Sequence, residues 1–328
     1  CAFFTIFTGG SGVTILALGG LLFPALIAEQ YPERFTLGLL TASGSLGLLW
    51  PPALPLILYG IVADVPIKDL FLGGLLPGTL MLAVNGAWGV RQGRRSGVER
   101  QPFRLPEVGR AMWEAKWELL LPVIVLGAFF SGWATLVETS AIAALYVLLV
   151  KTLLTRDLAS GRKLFGAFGD CVALVGAVMV IVCAAKAFSY YLTDAELPAR
   201  ALEWVQANIR SPWLLLLGLN VLLLIVGSVM EVFAAIIVLV PLLRDFPAAY
   251  GIHPVHLGIL FVANLELGYL TPPAGLNLFL ASSRFQRPLL SVYRAALPYL
   301  LLNGIGVLLI TYVPWLTTWL LPGTAAVP

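Results

Sequence analysis

The sequence predicts an all-α polytopic membrane protein with inverted-topology repeats, two re-entrant hairpins and two broken transmembrane helices. Three observations predict it. Of 328 residues, 59% are hydrophobic and only 11% are charged, whereas a soluble domain carries about 25% charged residues. The apolar residues fall in long blocks, as at 70–90, 119–150 and 172–192, and a helix needs about 20 of them to cross a bilayer. Finally, the apolar stretches 1–28 and 212–243 are each interrupted by Gly and Ser, and each precedes a stretch that holds a double proline.

Charge sets the orientation, because short cytoplasmic loops collect Lys and Arg. The turn 29–34 and the loops around 91–116, 151–163 and 284–294 hold fifteen of the twenty basic residues. Lys68, Arg200, Arg210 and Arg244 fall on the opposite side. With the basic loops inside, spans run over 35–63, 66–90, 119–130, 137–150, 164–192, 255–282 and 293–320. The span at 119–130 is short and is extended toward Trp113 and Trp117 at the interface. Stretches 1–28 and 212–243 then begin and end on one side each, the first inside and the second outside, as re-entrant hairpins do.

The two hairpins share spacing. Pro24 follows Ser11 by 13 residues, and Pro241 follows Ser228 by 13. The double prolines Pro51-Pro52 and Pro272-Pro273 begin 27 and 31 residues after those prolines. A repeat inserted in opposite orientations places its binding sites near the midplane, where helices are interrupted. Proline removes a backbone donor and breaks the preceding turn. The freed carbonyls must then line a cavity or bind something, since lipid cannot satisfy them. Together with Ser and Thr hydroxyls they form an oxygen-rich site for a small hard cation, and the adjoining helix N-termini favour a carboxylate.

The runs FTGGSGVTILALGG at 7–20, YPERFTLGLLTASGSLGLLWPPALPLILYG at 31–60 and NLELGYLTPPAGLNLFLAS at 264–282 resemble the large permease subunit of tripartite ATP-independent periplasmic (TRAP) transporters, the DctM-like family. The resemblance covers nearly the whole chain and implies an elevator-type, sodium-driven importer of an organic acid such as a C4-dicarboxylate in the bacterial inner membrane. It implies no cofactor, with sodium as the coupling ion. It also implies a small four-helix membrane subunit and a periplasmic substrate-binding protein as partners. Further N-terminal helices are expected upstream. On this reading residues 1–90 are the first repeat, 91–118 a basic cytoplasmic connection, 119–192 scaffold-type helices of the second repeat, and 193–328 the second hairpin, broken helix and terminal span.

Carried onto this chain, the resemblance implies one sodium site between Ser11, Thr14 and the break at Ser43, Gly44, Ser45 and Gly47. It implies a second between Gly227, Ser228, Glu231 and the break at Gly268, Thr271 and Gly275. Gly10, Gly12, Ser45, Glu231, Pro272 and Asn277 are the candidate substrate contacts. Glu231 stands where the family often has aspartate, one methylene shorter.

Charge inside a membrane costs about 2.5–3.5 kcal/mol on insertion scales, so the remaining ionisable residues need a reason. Glu266 lies beside the second break and is read as functional. Glu138, after a Gly-Trp-Ala-Thr turn, is read as a cap or packing residue. Lys186 is read as pairing with Asp170 or snorkelling. His253 and His256 are read as loop or interface residues without metal spacing, and Cys1, Cys171 and Cys183 as buried small apolar residues. Nucleic-acid binding has no support. A rival reading takes Gly9-Gly10-Ser11-Gly12 as the G-x-S-G pattern of an intramembrane serine protease with His256 as base, which requires Ser11 within hydrogen-bond reach of a histidine. A nearer rival is a sodium- or proton-coupled elevator transporter that works without a binding protein.

Overall fold

The computed structural model describes residues 1–97, 105–158 and 160–321. Among them every regular element is helical. The helices are α1 (Ala2–Thr8), α2 (Ser11–Thr14), α3 (Gly20–Ala28), α4 (Glu33–Ser43), α5 (Leu54–Ala63), α6 (Ile67–Arg95), α7 (Leu105–Glu114), α8 (Lys116–Phe130) and α9 (Leu136–Leu149). Then come α10 (Gly161–Asp194), α11 (Leu197–Asn208), α12 (Pro212–Val229), α13 (Val232–Leu243), α14 (Phe246–Tyr250), α15 (Pro254–Gly268), α16 (Leu276–Phe285), α17 (Leu289–Tyr312) and α18 (Trp315–Thr318). A π turn at Ile15–Gly19 joins α2 to α3, and another at Val150–Leu154 extends α9. Among the described residues five stretches are long and apolar enough to cross a membrane: Ser11–Ala28, Ile67–Arg95, Val137–Leu154, Pro212–Val229 and Leu289–Tyr312. The chain is a polytopic membrane protein.

Sequence punctuation explains the boundaries. Proline stands just before or in the first turn of α4, α5, α6, α12, α15 and α17, where its missing N–H costs nothing. α1 and α14 stop at Gly9 and Gly251, both with left-handed φ, a conformation glycine adopts without strain.

The chain forms two compact units, one of residues 1–98 and 183–328 and one of 99–182. In the smaller unit α8 and α9 pack as a pair, and the Tyr146 hydroxyl donates to Trp117 O at 2.8 Å. Lys151 bridges Glu118 at 2.8 Å and Asp157 at 3.1 Å. Glu138 closes a capping box at the start of α9. Its Oε2 accepts from Thr135 N at 2.7 Å and from the Thr135 hydroxyl at 2.8 Å, while Glu138 N donates to Thr135 Oγ1 at 3.3 Å. The capping role read from the sequence is the observed one. α8 does not extend back to Trp113: α7 ends first, and its apolar residues Leu105, Val108 and Met112 recur at helical spacing on an exposed face. Cys171 and Cys183 are exposed, not buried; α10 presents apolar residues outward as a lipid-facing helix does. The Lys186 side chain lies outside the described residues.

In the larger unit α15 is the centre. Every residue from Val255 to Gly268 is buried, against α12, α17, α6 and α5. α4 lies along α17. α13 packs on α5, and the first hairpin packs on α16. Each hairpin therefore touches the distal half of the other repeat's broken helix. Apolar residues from the first hairpin, α4, α16 and α17 meet in one cluster, with Ile15, Leu40, Leu278 and Val292 all buried.

Polar seams run through this core. Asn264 Nδ2 donates to Asn220 Oδ1 at 2.7 Å, and the Thr311 hydroxyl reaches the same oxygen at 3.1 Å. Asn85 Nδ2 donates to Asn303 Oδ1 at 2.5 Å. The reading of His256 as a loop or interface residue is wrong. It is 1% exposed, with Nδ1 at 2.8 Å from Thr317 Oγ1 and Nε2 at 3.2 Å from Thr311 O. The chain after α17 returns over the start of α15 and covers it. His253 does lie at the edge, where its Nδ1 accepts from Val255 N at 3.2 Å and caps α15. Burial holds the His253 pKa below its ordinary value.

Candidate transport site

The first broken helix is α4–α5. Between Ser43 and Leu54 the chain makes successive turns, with Leu48 N bonded to Ser45 O at 3.0 Å and Trp50 N to Gly47 O at 3.2 Å. It then passes through a cis Pro51-Pro52 bond. The first hairpin, α1 to α3, sits directly on this break. A Cβ on Gly44 would lie 2.6 Å from Ile15 Cγ1 and 3.4 Å from the Ser11 carbonyl. One on Gly47 would lie 2.8 Å from Thr5 Cβ and 3.0 Å from Ile6 N. Glycine is what lets the two backbones meet.

Oxygen atoms crowd this junction. The Thr5 hydroxyl lies 2.7 Å from that of Thr14, 2.8 Å from Gly44 O and 3.2 Å from Cys1 O. Thr14 Oγ1 is also 3.4 Å from Gly10 O. Among the described residues the Ser43 hydroxyl is buried with no hydrogen-bond partner, and Ser45 Oγ donates to Ala42 O at 3.4 Å. Thr5 is a component the sequence reading missed; it lies before the Gly-Ser motif, on the other arm of the hairpin.

The second broken helix is α15–α16, and the hairpin α12–α13 sits on it. A Cβ on Gly268 would lie 2.6 Å from Gly227 C and 3.0 Å from Ser228 N. The break of this hairpin is not at Gly227-Ser228 as spacing suggested. α12 runs on to Val229, and Met230 and Glu231 form the extended link. Ser228 Oγ bonds back to Ile225 O at 2.7 Å inside the helix. Gly227 serves close approach to Leu265 Cα, which a Cβ would meet at 2.9 Å.

Glu231 caps α13, its Oε2 accepting from Phe233 N at 2.8 Å. Tyr269 ties the cap to the break: its hydroxyl accepts from Val232 N at 2.6 Å and donates to Glu231 Oε1 at 3.4 Å. Past Gly268 the Thr271 hydroxyl donates to Leu267 O at 3.0 Å. A cis Pro272-Pro273 bond follows. At Gly275 the carbonyls converge, since a Cβ there would lie 2.9 Å from Tyr269 O and 3.0 Å from Thr271 O. Asn277 is fully buried; its Nδ2 approaches Thr41 O at 3.5 Å, and its Oδ1 has no partner. It thus links α16 to α4, the two broken helices to each other. Both carboxylate oxygens of Glu266 are buried without a partner.

The sequence-derived candidates thus fall into two groups. Thr14, Ser43, Gly44 and Gly47, with the Ser11 carbonyl, come together at the first junction. Gly227, Ser228, Glu231, Gly268, Thr271 and Gly275 come together at the second. Gly12 faces Leu280 of α16, and Pro272 is exposed.

A family model described as "Tripartite ATP-independent periplasmic transporter, DctM component" matches residues 1–316. The chain is 35% identical over 322 residues to the isethionate TRAP transporter permease protein DctMQ of Oleidesulfovibrio alaskensis, covering 96% of this chain and 50% of that protein. It is 34% identical over 321 residues to the C4-dicarboxylate TRAP transporter large permease protein DctM of Pseudomonas aeruginosa, covering 96% of this chain and 74% of that one. It is 29% identical over 308 residues to the 2,3-diketo-L-gulonate TRAP transporter large permease protein YiaN of Escherichia coli, covering 94% of this chain and 72% of that one. The chain therefore spans half to three quarters of these relatives.

Proposed function

From the premise that the chain belongs to the DctM family of TRAP transporter permeases, we propose that it carries a small organic acid across the bacterial inner membrane, coupled to sodium, by an elevator motion. These relatives are transporter permeases, not enzymes. The protease reading fails on geometry as well, because both ring nitrogens of His256 are bonded to Thr317 and Thr311.

The observation that carries the proposal is the pair of junctions. At each, a hairpin meets a broken helix through glycine, and carbonyls and hydroxyls gather there. Sodium takes oxygen ligands, and both junctions fit it. At the first, the hydroxyls of Thr5, Thr14 and Ser43 and the Gly44 carbonyl supply oxygens. At the second, Thr271 Oγ1 and the carbonyls facing Gly275 do so. The substrate carboxylate lies between the junctions, where Asn277 bridges the broken helices and the start of α2 offers backbone N–H groups. Glu231 acts through its cap on α13, not as a free ion ligand. Hairpins that enter and leave the membrane on one side give the inverted repeat its two access routes. A small membrane subunit and a periplasmic binding protein complete the machine.

The test is uptake of a radiolabelled organic-acid panel, led by C4-dicarboxylates, into proteoliposomes. These hold the full-length subunit, its small partner and its binding protein, with and without an inward sodium gradient. Uptake requiring both sodium and the binding protein, and lost in Thr14→Val or Thr271→Ala, is expected. Sodium-independent uptake, or uptake indifferent to the binding protein, overturns the mechanism.

A further inference from the structure

On the outer side of the second hairpin a cleft opens between α11 and the helix pair α12–α13. It has two adjoining chambers that share Ile209. The larger, about 430 Å³, is lined by apolar groups, among them Trp204, Leu219, Leu222, Leu239 and Phe246. The smaller, about 380 Å³, is lined by polar and apolar groups including Gln206, Arg210 and Tyr250. Neither lining contains a carboxylate. At the polar chamber the Tyr250 hydroxyl donates to Ile209 O at 2.7 Å and pins the end of α11 to α14.

A cavity with one oily end and one cationic end has the polarity of a lipid, not of an aqueous solute. Its level in the membrane agrees. Trp213 stacks on Tyr312 at 5.5 Å between ring centroids, and Trp315 lies 5.5 Å from Trp319. Tryptophan and tyrosine gather at the headgroup level, which puts Arg210, three residues before Trp213, at the height of the phosphates. Arg210 is exposed, and no described ion pair engages its guanidinium. A guanidinium binds phosphate through parallel N–H donors.

We propose that this cleft is a phospholipid site, with one acyl chain in the apolar chamber and the headgroup phosphate held by Arg210 and Gln206. The lipid wedges α11 against the second hairpin. It becomes a structural part of the hairpin and not a member of the annulus.

Gly218 provides the test. It lines the apolar chamber, and a Cβ added there meets nothing within 4 Å, so the branch point of Gly218→Leu has room and its side chain takes up volume in the cleft. The full-length protein is reconstituted with phosphatidylglycerol bearing a diazirine on its acyl chain, irradiated and digested, and the adducts are mapped. Wild type is expected to label the segments around Leu219 and Leu239 above the general lipid-facing level. Gly218→Leu is expected to drop them to that level. Arg210→Gln is expected to weaken labelling about tenfold, the loss of one charge-assisted hydrogen bond. Gly127→Leu, on a lipid-facing turn of α8 that is equally open, should change nothing at the cleft. Labelling that survives both cleft variants overturns the proposal, as does an equal fall in Gly127→Leu. Absence of cleft labelling in wild type overturns it too, since the cleft is then filled by polypeptide.

Discussion

Gly268→Ala tests a close backbone approach at the second junction. The added Cβ would lie 2.6 Å from Gly227 C, 2.7 Å from Gly227 Cα and 3.0 Å from Ser228 N. Carbon atoms rest at about 3.5–4.0 Å, so the second hairpin must retreat from the break by roughly 1 Å. All three obstacles are backbone, and no rotamer change can relieve them. Overpacking of this kind costs about 1–3 kcal/mol, and alanine's better helix propensity at the end of α15 returns at most about 1 kcal/mol. A net loss of about 1–2 kcal/mol follows, read as a lower melting temperature of the detergent-solubilised protein. The same retreat moves α12 away from the carbonyls beyond Gly268, so half-saturation by sodium should shift upward by about tenfold, equivalent to 1.4 kcal/mol. Gly86→Ala is the control. It lies inside α6 with nothing within 4 Å of the new Cβ, and it should hold or gain stability by about 0.5–1 kcal/mol. A Gly268→Ala protein that melts with wild type and keeps its sodium dependence would refute both the tight contact and its link to the ion.

Two further outcomes follow from the buried polar contacts. Asn220→Leu and Asn264→Leu should each destabilise by about 1 kcal/mol, and the double variant should lose less than their sum by about 0.6–1.7 kcal/mol, measured by thermal melts; strict additivity would mean that the 2.7 Å contact carries no coupling. His253 caps α15 in its neutral form and has a lowered pKa in the fold. Its contribution is therefore complete above its unfolded pKa, near 6.5, and is lost as pH falls through the folded value. Wild type should lose melting temperature from about pH 7 to pH 5 more steeply than His253→Asn, and parallel profiles would exclude the cap as the cause.

Much of this architecture was legible because the membrane leaves few choices. A bilayer admits only helices that satisfy their own backbone, so apolar blocks marked the crossing-length helices Ile67–Arg95, Val137–Leu154 and Leu289–Tyr312, and double prolines marked both broken helices; Ser11–Ala28 and Pro212–Val229, read as parts of hairpins, reach the same length and apolarity. The second hairpin's break was misplaced at Gly227-Ser228 for a physical reason. In a membrane helix a small pair marks close packing as readily as a break, and here Gly227 admits Leu265 while the helix continues. Thr5, Asn220 and Asn303 were overlooked because their partners lie across the fold, up to 218 residues away for Asn303. His256 looked peripheral by position, and only the return of the chain at Thr317 buries it. α7 and α11 were readable in principle: Leu105, Val108 and Met112 have helical spacing, but a short amphipathic helix in a basic loop is easily taken for a connection.

The cross-packing of the hairpins and broken helices bears on the proposed transport cycle. α13 of the second hairpin lies on α5, the distal half of the first broken helix. The first hairpin lies on α16, the distal half of the second. Asn277 and Thr41 join the broken helices between them. Displacing one hairpin as an isolated gate would strip apolar surface from the opposite repeat, at about 25 cal/mol for each Å² exposed. Moving both hairpins with both broken helices leaves those contacts intact. Packing therefore favours a single body that carries both junctions together, as the proposed elevator motion requires.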